Sequence, residues 1–167
     1  MKQFLTLLTV LAVTLLTGCA ALRQTPEEKA AEKLRLEQSL DARKYQIDID
    51  YMIPLRGPGK SVTGSYSLSI DESVIESNLP YFGVAYSVPY GGGKVLTFKD
   101  QIGEYRDSGW TKDRRTVVVT TNNGEDTITY TITVFDNGST DISVHFRNRE
   151  DISYRGKTGP LKSGQQD

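Results

Sequence analysis

TITYTITV, residues 127–134, decides the fold. Ile128, Tyr130, Ile132 and Val134 alternate with Thr127, Thr129, Thr131 and Thr133, so every second side chain is apolar. Successive side chains of a strand point to opposite faces, and this rhythm sets one face against a core and the other against water. Asp136-Asn137-Gly138 follows, with residues that tolerate the positive φ of a tight hairpin turn. Ile142, Val144 and Phe146 then resume the alternation against Asp141, Ser143, His145 and Arg147. Upstream, Asn122-Asn123-Gly124 supplies a second turn of the same chemistry. Residues 115–121, 126–135 and 140–147 are therefore predicted to form a three-strand meander, with Ile152 to Arg155 returning as a short edge.

The same period of two runs through most of the chain. Tyr45, Ile47, Ile49, Tyr51 and Ile53 alternate with Gln46, Asp48, Asp50 and Met52, and Val62, Gly64, Tyr66, Leu68 and Ile70 with Thr63, Ser65, Ser67 and Ser69. Leu96-Thr97-Phe98 and Ile102 to Arg106 are weaker strand candidates. Parallel strands, buried on both faces, read as continuous apolar runs, so these half-polar strands are antiparallel. No helical crossover and no internal repeat intervenes. The expected fold is all-β: a curled antiparallel sheet of about eight strands preceded by one N-terminal helix. Whether it closes as a small barrel or folds over as a sandwich stays open.

The two ends read differently. Lys2, the uncharged run Phe4 to Leu16, and Leu16-Thr17-Gly18-Cys19 have the layout of a secretory signal, with an apolar run too short for a comfortable membrane span. The Leu-Thr-Gly-Cys ending resembles the lipobox of bacterial lipoproteins, which implies lipidation of Cys19. Acyl chains contribute about 0.8 kcal/mol per buried CH₂, so several on one residue hold a protein on a bilayer. By the same resemblance, Ala20 after the cysteine implies an outer-membrane address, facing the periplasm or the cell surface. Residues 1–18 are then a lipoprotein signal peptide, 19–43 a lipid-anchored linker and helical stalk, 44–161 the β domain, and 162–167 a disordered tail. Thr25-Pro26-Glu27-Glu28 opens the helix, with Thr25 and Glu28 spaced as a capping box.

Composition excludes several function classes. Cys19 is the single cysteine, so the domain has no internal disulfide and rests on its core. The formal net charge is −1, and −2 once Lys2 leaves with the signal; a nucleic-acid partner would want a basic stripe instead. His145, the single histidine, falls on the polar face of its strand, with no second ligand at zinc spacing and no G-x-S-x-G elbow elsewhere. Gly91-Gly92-Gly93-Lys94 precedes a strand where a phosphate loop needs a helix, and Arg56-Gly57-Pro58-Gly59-Lys60 is a loop between strands. The carboxylate pairs Asp48/Asp50 and Asp71/Glu72 are strand-face or strand-end neighbours, whereas a glycosidase needs two acids across a cleft. Neither a metal nor a cofactor is expected.

One stretch stands apart. LPYFGVAYSVPYGGG, residues 79–93, crowds four aromatic rings, two prolines and four glycines together. Its rings either plug one open end of the sheet or form a binding lip, in which Tyr81, Phe82, Tyr86 and Tyr90 meet a glycan, peptide or apolar ligand. Trp110 could join the lip from a neighbouring turn. The segment resembles the signature of the bacterial domain of unknown function 4251. Further matches are Tyr51-Met52-Ile53-Pro54, Tyr66-Ser67-Leu68, Leu96-Thr97-Phe98, Phe135 with Asn137-Gly138, and Asn148-Arg149 with Ile152-Ser153-Tyr154-Arg155-Gly156. The resemblance covers roughly residues 45–156 and implies a lipoprotein of Gram-negative anaerobes, without an activity or a catalytic residue. The functional expectation is a non-catalytic binding or scaffolding module of the cell envelope, attached to the membrane through acyl chains, with an envelope protein or glycan as partner. The alternatives are a hydrolase acting on glycan or peptidoglycan, and a small-molecule or lipid carrier if the sheet encloses a cavity.

Overall fold

The computed structural model describes residues 25–83 and 96–162. It falls into two compact units, one ending at Glu32 and one beginning at Lys33. In the first, the capping box forms as spaced: Thr25 N–H donates to Glu28 Oε2 (2.8 Å) and Glu28 N–H to Thr25 Oγ1 (3.2 Å). Helix α1, Pro26–Asp41, starts there and continues into the second unit. Its last turns belong to the β body, because Leu36 and Leu40 are buried in the core. Arg43 ends it at φ 53°, a left-handed stop that sends the chain directly into the first strand.

Nine strands follow among the described residues: β1 Lys44–Pro54, β2 Lys60–Ser61, β3 Ser67–Asp71, β4 Val74–Asn78, β5 Thr97–Thr111, β6 Arg114–Asn122, β7 Thr127–Phe135, β8 Ser139–Phe146 and β9 Ile152–Pro160. From β3 onward each pairs antiparallel with the next in sequence, and β1 pairs with both β3 and β9. The sheet therefore closes on itself: eight strands make an up-and-down barrel, with β2 added beside the far end of β1. This resolves the choice between barrel and sandwich.

Three local expectations are corrected. Ile152 to Arg155 is no short edge: β9 runs to Pro160 and closes the barrel against β1. Val62, Gly64 and Tyr66 do not continue one regular strand into Leu68. They bulge out between β2 and β3, where Val62 N–H still donates to the Asp50 carbonyl and Ile49 N–H to that of Tyr66. The weak candidates after residue 96 are one fifteen-residue strand, β5, whose alternation is hidden by register shifts after Ile102 and after Asp107.

The apolar faces turn inward, except that β1 changes phase at the Asp50 bulge: beyond it Met52 is buried, while Tyr51 and Ile53, expected on the inner face, are half-covered. Tyr45, Ile47, Leu68, Ile70, Ile75, Val117, Val119, Ile128, Tyr130, Ile132 and Val134 have no accessible surface, so no space the size of a water molecule touches them. An eight-stranded barrel is just narrow enough for side chains to fill, and here they do. Asp48, Glu76, Lys99, Arg106, Asp141 and Arg155 are exposed on the outside, the inverse of a lipid-spanning barrel. The buried phenols each find an oxygen: Tyr45 Oη lies 3.4 Å from Tyr105 Oη, Tyr130 donates to Ser77 Oγ (3.3 Å) and Tyr154 to the Pro80 carbonyl (2.6 Å). Burial pushes all three phenols well above the usual tyrosine range, and they stay protonated. Among the described residues no helix is long and apolar enough to cross a membrane.

The closing seam carries the tightest contact. Ile49 pairs with Gly156 and Tyr51 with Arg155, leaving Asp50 as a bulge. A Cβ on Gly156 would overlap the Asp48 carbonyl oxygen and lie 2.9 Å from its carbon and 3.1 Å from Ile49 Cα. Glycine is the residue that lets the first and last strands meet here.

Candidate functional site

The barrel has two mouths. At one, β1 and β6 begin and the last turns of α1 pack; at the other, β1 and β6 end. The segment after β4 crosses this second mouth. Leu79 N–H donates to the Leu96 carbonyl (2.9 Å), which ties the residue after β4 to the residue before β5. Pro80 is held by Tyr154. Tyr81 packs edge-on against Phe146, with centroids 5.3 Å apart, and its hydroxyl donates to the Glu150 carbonyl (3.0 Å). Its ring folds over Gly83, whose Cβ position would fall 2.6 Å from Tyr81 Cζ. Tyr81 thus works as a stopper.

Its neighbour does the opposite. Phe82 is 58% exposed, and Leu55, at the end of β1, is 61% exposed. Lys60 Nζ stands 5.0 Å from the Phe82 ring centroid, a cation–π distance. Arg56 Nε reaches the buried Glu150 carboxylate at 3.0 Å. Nearby, buried Asp126 accepts the N–H groups of Arg147 and Asn148 (3.2 Å each), and Arg149 bonds Glu125 at 3.1 Å. Charge at this mouth is therefore largely paired, while an apolar ring and an aliphatic side chain face outward. Such a surface can bind through area and stacking.

The candidate residues separate. Tyr81 and Phe82 sit together, one inward and one outward. Trp110 does not join them: it lies within β5 opposite Arg115, at the other mouth, 6.0 Å from Lys33 Nζ. Cys19, Tyr86, Tyr90 and Gly91 to Lys94 lie outside the described residues. His145 is exposed and its Nδ1 lies 2.9 Å from Asp151 Oδ1. Asp48 bonds Lys162, so the tail begins with an ion pair, and Asp71 and Glu72 both face Lys44. Among the described residues no group of His, Cys, Asp and Glu could hold a metal ion. Sequence reasoning missed Leu55 and Lys60. Their signal was an apolar residue where the alternation of β1 stops, just before a Gly-Pro-Gly loop.

The first mouth is closed by a polar clamp. Arg115, 6% exposed, grips Asp107 through Nε (2.9 Å) and Nη2 (2.5 Å), and Asp41 at the end of α1 through Nη1 (2.6 Å). Burial alone would raise the Asp107 carboxyl. The Arg115 guanidinium and the Gly109 N–H outweigh it and hold Asp107 below the usual carboxylate range. Arg43 covers the Tyr105 ring at 4.2 Å. A groove of about 490 Å³, lined by Arg35, Gln38, Ser39, Lys44, Pro160 and Leu161, runs beside this junction, open to solvent.

Comparison with known proteins adds the following. No curated protein matches the chain. Among solved structures it is similar to the crystal structure of a DUF4251 family protein from Bacteroides eggerthii, with a TM-score of 0.57 and 12% identity over 79% of this chain and 91% of that one. At that identity the likeness is one of fold. The family model "Domain of unknown function (DUF4251)" matches residues 27–158, from the first turn of α1 into the closing strand β9. The chain belongs to the DUF4251 family.

Proposed function

We propose that this protein is a lipid-anchored, non-catalytic binding or scaffolding module of the bacterial cell envelope, placed at the outer membrane by acyl chains on Cys19. It meets an envelope protein or glycan with the barrel mouth farther from α1. The observation that carries this reading is Phe82, a large ring left 58% exposed beside Leu55, where every other ring among the described residues is buried or half-covered. Tyr81 supports it from beneath, because a ring tied to Phe146 and Glu150 gives Phe82 a fixed base. The filled interior favours a surface partner over an enclosed cargo. Cys19 in its Leu-Thr-Gly-Cys context supports the tether.

The test is a pull-down from envelope extract with the lipidated full-length protein and a Phe82→Ala/Leu55→Ser variant. Both side chains are exposed, so the variant is expected to keep its melting temperature and lose the captured partner. A variant that captures the same partner equally well would refute the placement of the binding surface. Radiolabelled palmitate incorporation, lost in Cys19→Ser, tests the anchor. Turnover of a glycan or peptidoglycan panel, abolished by an Asp or Glu substitution, would overturn the non-catalytic reading.

A further inference from the structure

Two turns of the barrel read Asn-Gly: Asn123-Gly124 between β6 and β7, and Asn137-Gly138 between β7 and β8. In such a dipeptide the glycine nitrogen can attack the asparagine Cγ. The fold decides whether it does, by what holds that nitrogen and what polarises the side-chain carbonyl. The two turns differ on both points.

Gly138 is buried, and its N–H donates to the Phe135 carbonyl at 2.9 Å, a main-chain bond that completes the turn. A Cβ there would come within 3.2 Å of the Thr158 carbonyl, so the glycine is wedged against β9. Gly124 is exposed, with nothing within 4 Å of its Cβ position. Its N–H donates to a side chain, Asn122 Oδ1, at 2.9 Å. Asn137 Oδ1 accepts the N–H of Ser139 (2.9 Å), whereas Asn123 Oδ1 accepts those of both Glu125 (3.0 Å) and Asp126 (2.9 Å). Two N–H groups aimed at one carbonyl oxygen draw electrons from Cγ and stabilise the negative charge that develops on the oxygen when a nucleophile adds.

We propose that Asn123 is a site of spontaneous covalent modification in the folded protein and that Asn137 is protected. The Gly124 nitrogen gives its proton to solvent and bonds to Asn123 Cγ. The Cγ–Nδ2 bond breaks, and Nδ2 takes up a proton and leaves as ammonia, closing a cyclic imide. Water then opens the ring at either carbonyl, leaving aspartate or an isoaspartyl linkage; no electrons are gained or lost. The isoaspartyl product adds a methylene to the main chain beside Asp126, which holds the Arg147 and Asn148 N–H groups. The modification therefore loosens the join between the β6–β7 turn and the β8–β9 connection, next to the Phe82 mouth.

The experiment incubates the folded full-length protein in mildly alkaline buffer, with peptide mapping and enzymatic methylation of isoaspartate as readouts. Asn123 is expected to convert at least several-fold faster than Asn137. In denaturant the two dipeptides should convert at closely similar rates, so the folded-state ratio reads the structure. Asn122→Ala removes the acceptor of the Gly124 N–H and should quicken conversion of Asn123. The proposal is overturned if Asn137 converts as fast as Asn123 in the folded protein, if neither converts, or if Asn122→Ala leaves the rate unchanged.

Discussion

Gly156→Ala tests whether the barrel depends on the close approach of its first and last strands. The added methyl would sit inside the Asp48 carbonyl oxygen and 2.9 Å from its carbon. Carbon atoms rest at about 3.5 Å or more, so β1 and β9 must part by about 0.6 Å at the carbon and further at the oxygen. The obstacle is main chain on both sides, and no rotamer change can clear it. Overpacking a well-filled site costs typically about 1–3 kcal/mol. Here the flanking pairs Asp48/Lys157 and Tyr51/Arg155 weaken too, at about 1 kcal/mol for a lost hydrogen bond. The expected loss is about 2–4 kcal/mol. At about 2–4 °C per kcal/mol for a chain of this size, the melting temperature falls by roughly 4–16 °C. Gly159→Ala is the control: it lies on the same strand with nothing within 4 Å of its Cβ position. It should leave the midpoint unchanged or raise it, since alanine restricts the unfolded chain by about 0.4–1 kcal/mol. Thermal melts followed by circular dichroism decide. Equal midpoints for the two variants would show that the seam tolerates a side chain and that the argument from close approach is wrong.

Three further outcomes are expected. Leu40→Ala, at a fully buried helix position, should cost about 3 kcal/mol in chemical denaturation; a loss below about 1 kcal/mol would mean that α1 is not part of the core. Tyr154→Phe deprives the Pro80 carbonyl of its donor and should cost about 1–2 kcal/mol, with fastest hydrogen exchange gained around Leu79. For the clamp the sign is set by the depressed Asp107: its contribution is present above the ordinary aspartate value of about 3.9 and fades as the pH falls below it. Asp107→Asn should therefore be less stable than the parent near neutrality, and its stability should fall less steeply below about pH 4. Parallel pH–stability curves for the two proteins would refute that linkage.

Much of this architecture could be read in advance because its signals are local. Thr127 to Val134 announces a half-buried strand, Asn122 to Gly124 and Asp136 to Gly138 announce turns, and Thr25 with Glu28 announces a helix start; each message is complete within a dozen residues. Closure was not legible, because the Ile49–Gly156 contact joins the first and last strands of the barrel, more than a hundred residues apart in sequence. β5 was legible only in pieces, since its bulges shift which residues face inward. At the candidate site, the aromatic crowding of 79–83 was visible, but its division into an inward Tyr81 and an outward Phe82 depends on Phe146 and Glu150, more than sixty residues on. Trp110 looked like a companion because a Gly-Trp-Thr triplet resembles a turn. The register of β5 on β6 carries it to the far mouth instead.

The seam between β1 and β9 also dictates timing. A stave ring is open until its last member is in place, and here that member is β9, the barrel strand latest in the sequence. Until residues 152–160 are available, Lys44–Pro54 has a bare edge along the side where β9 belongs, open to whatever strand comes near. Low-order contacts cannot rescue the situation, because the decisive pairing spans most of the polypeptide, the kind of topology that folds slowly. Each copy therefore passes through an interval in which its first strand can pair with another chain instead of its own last one.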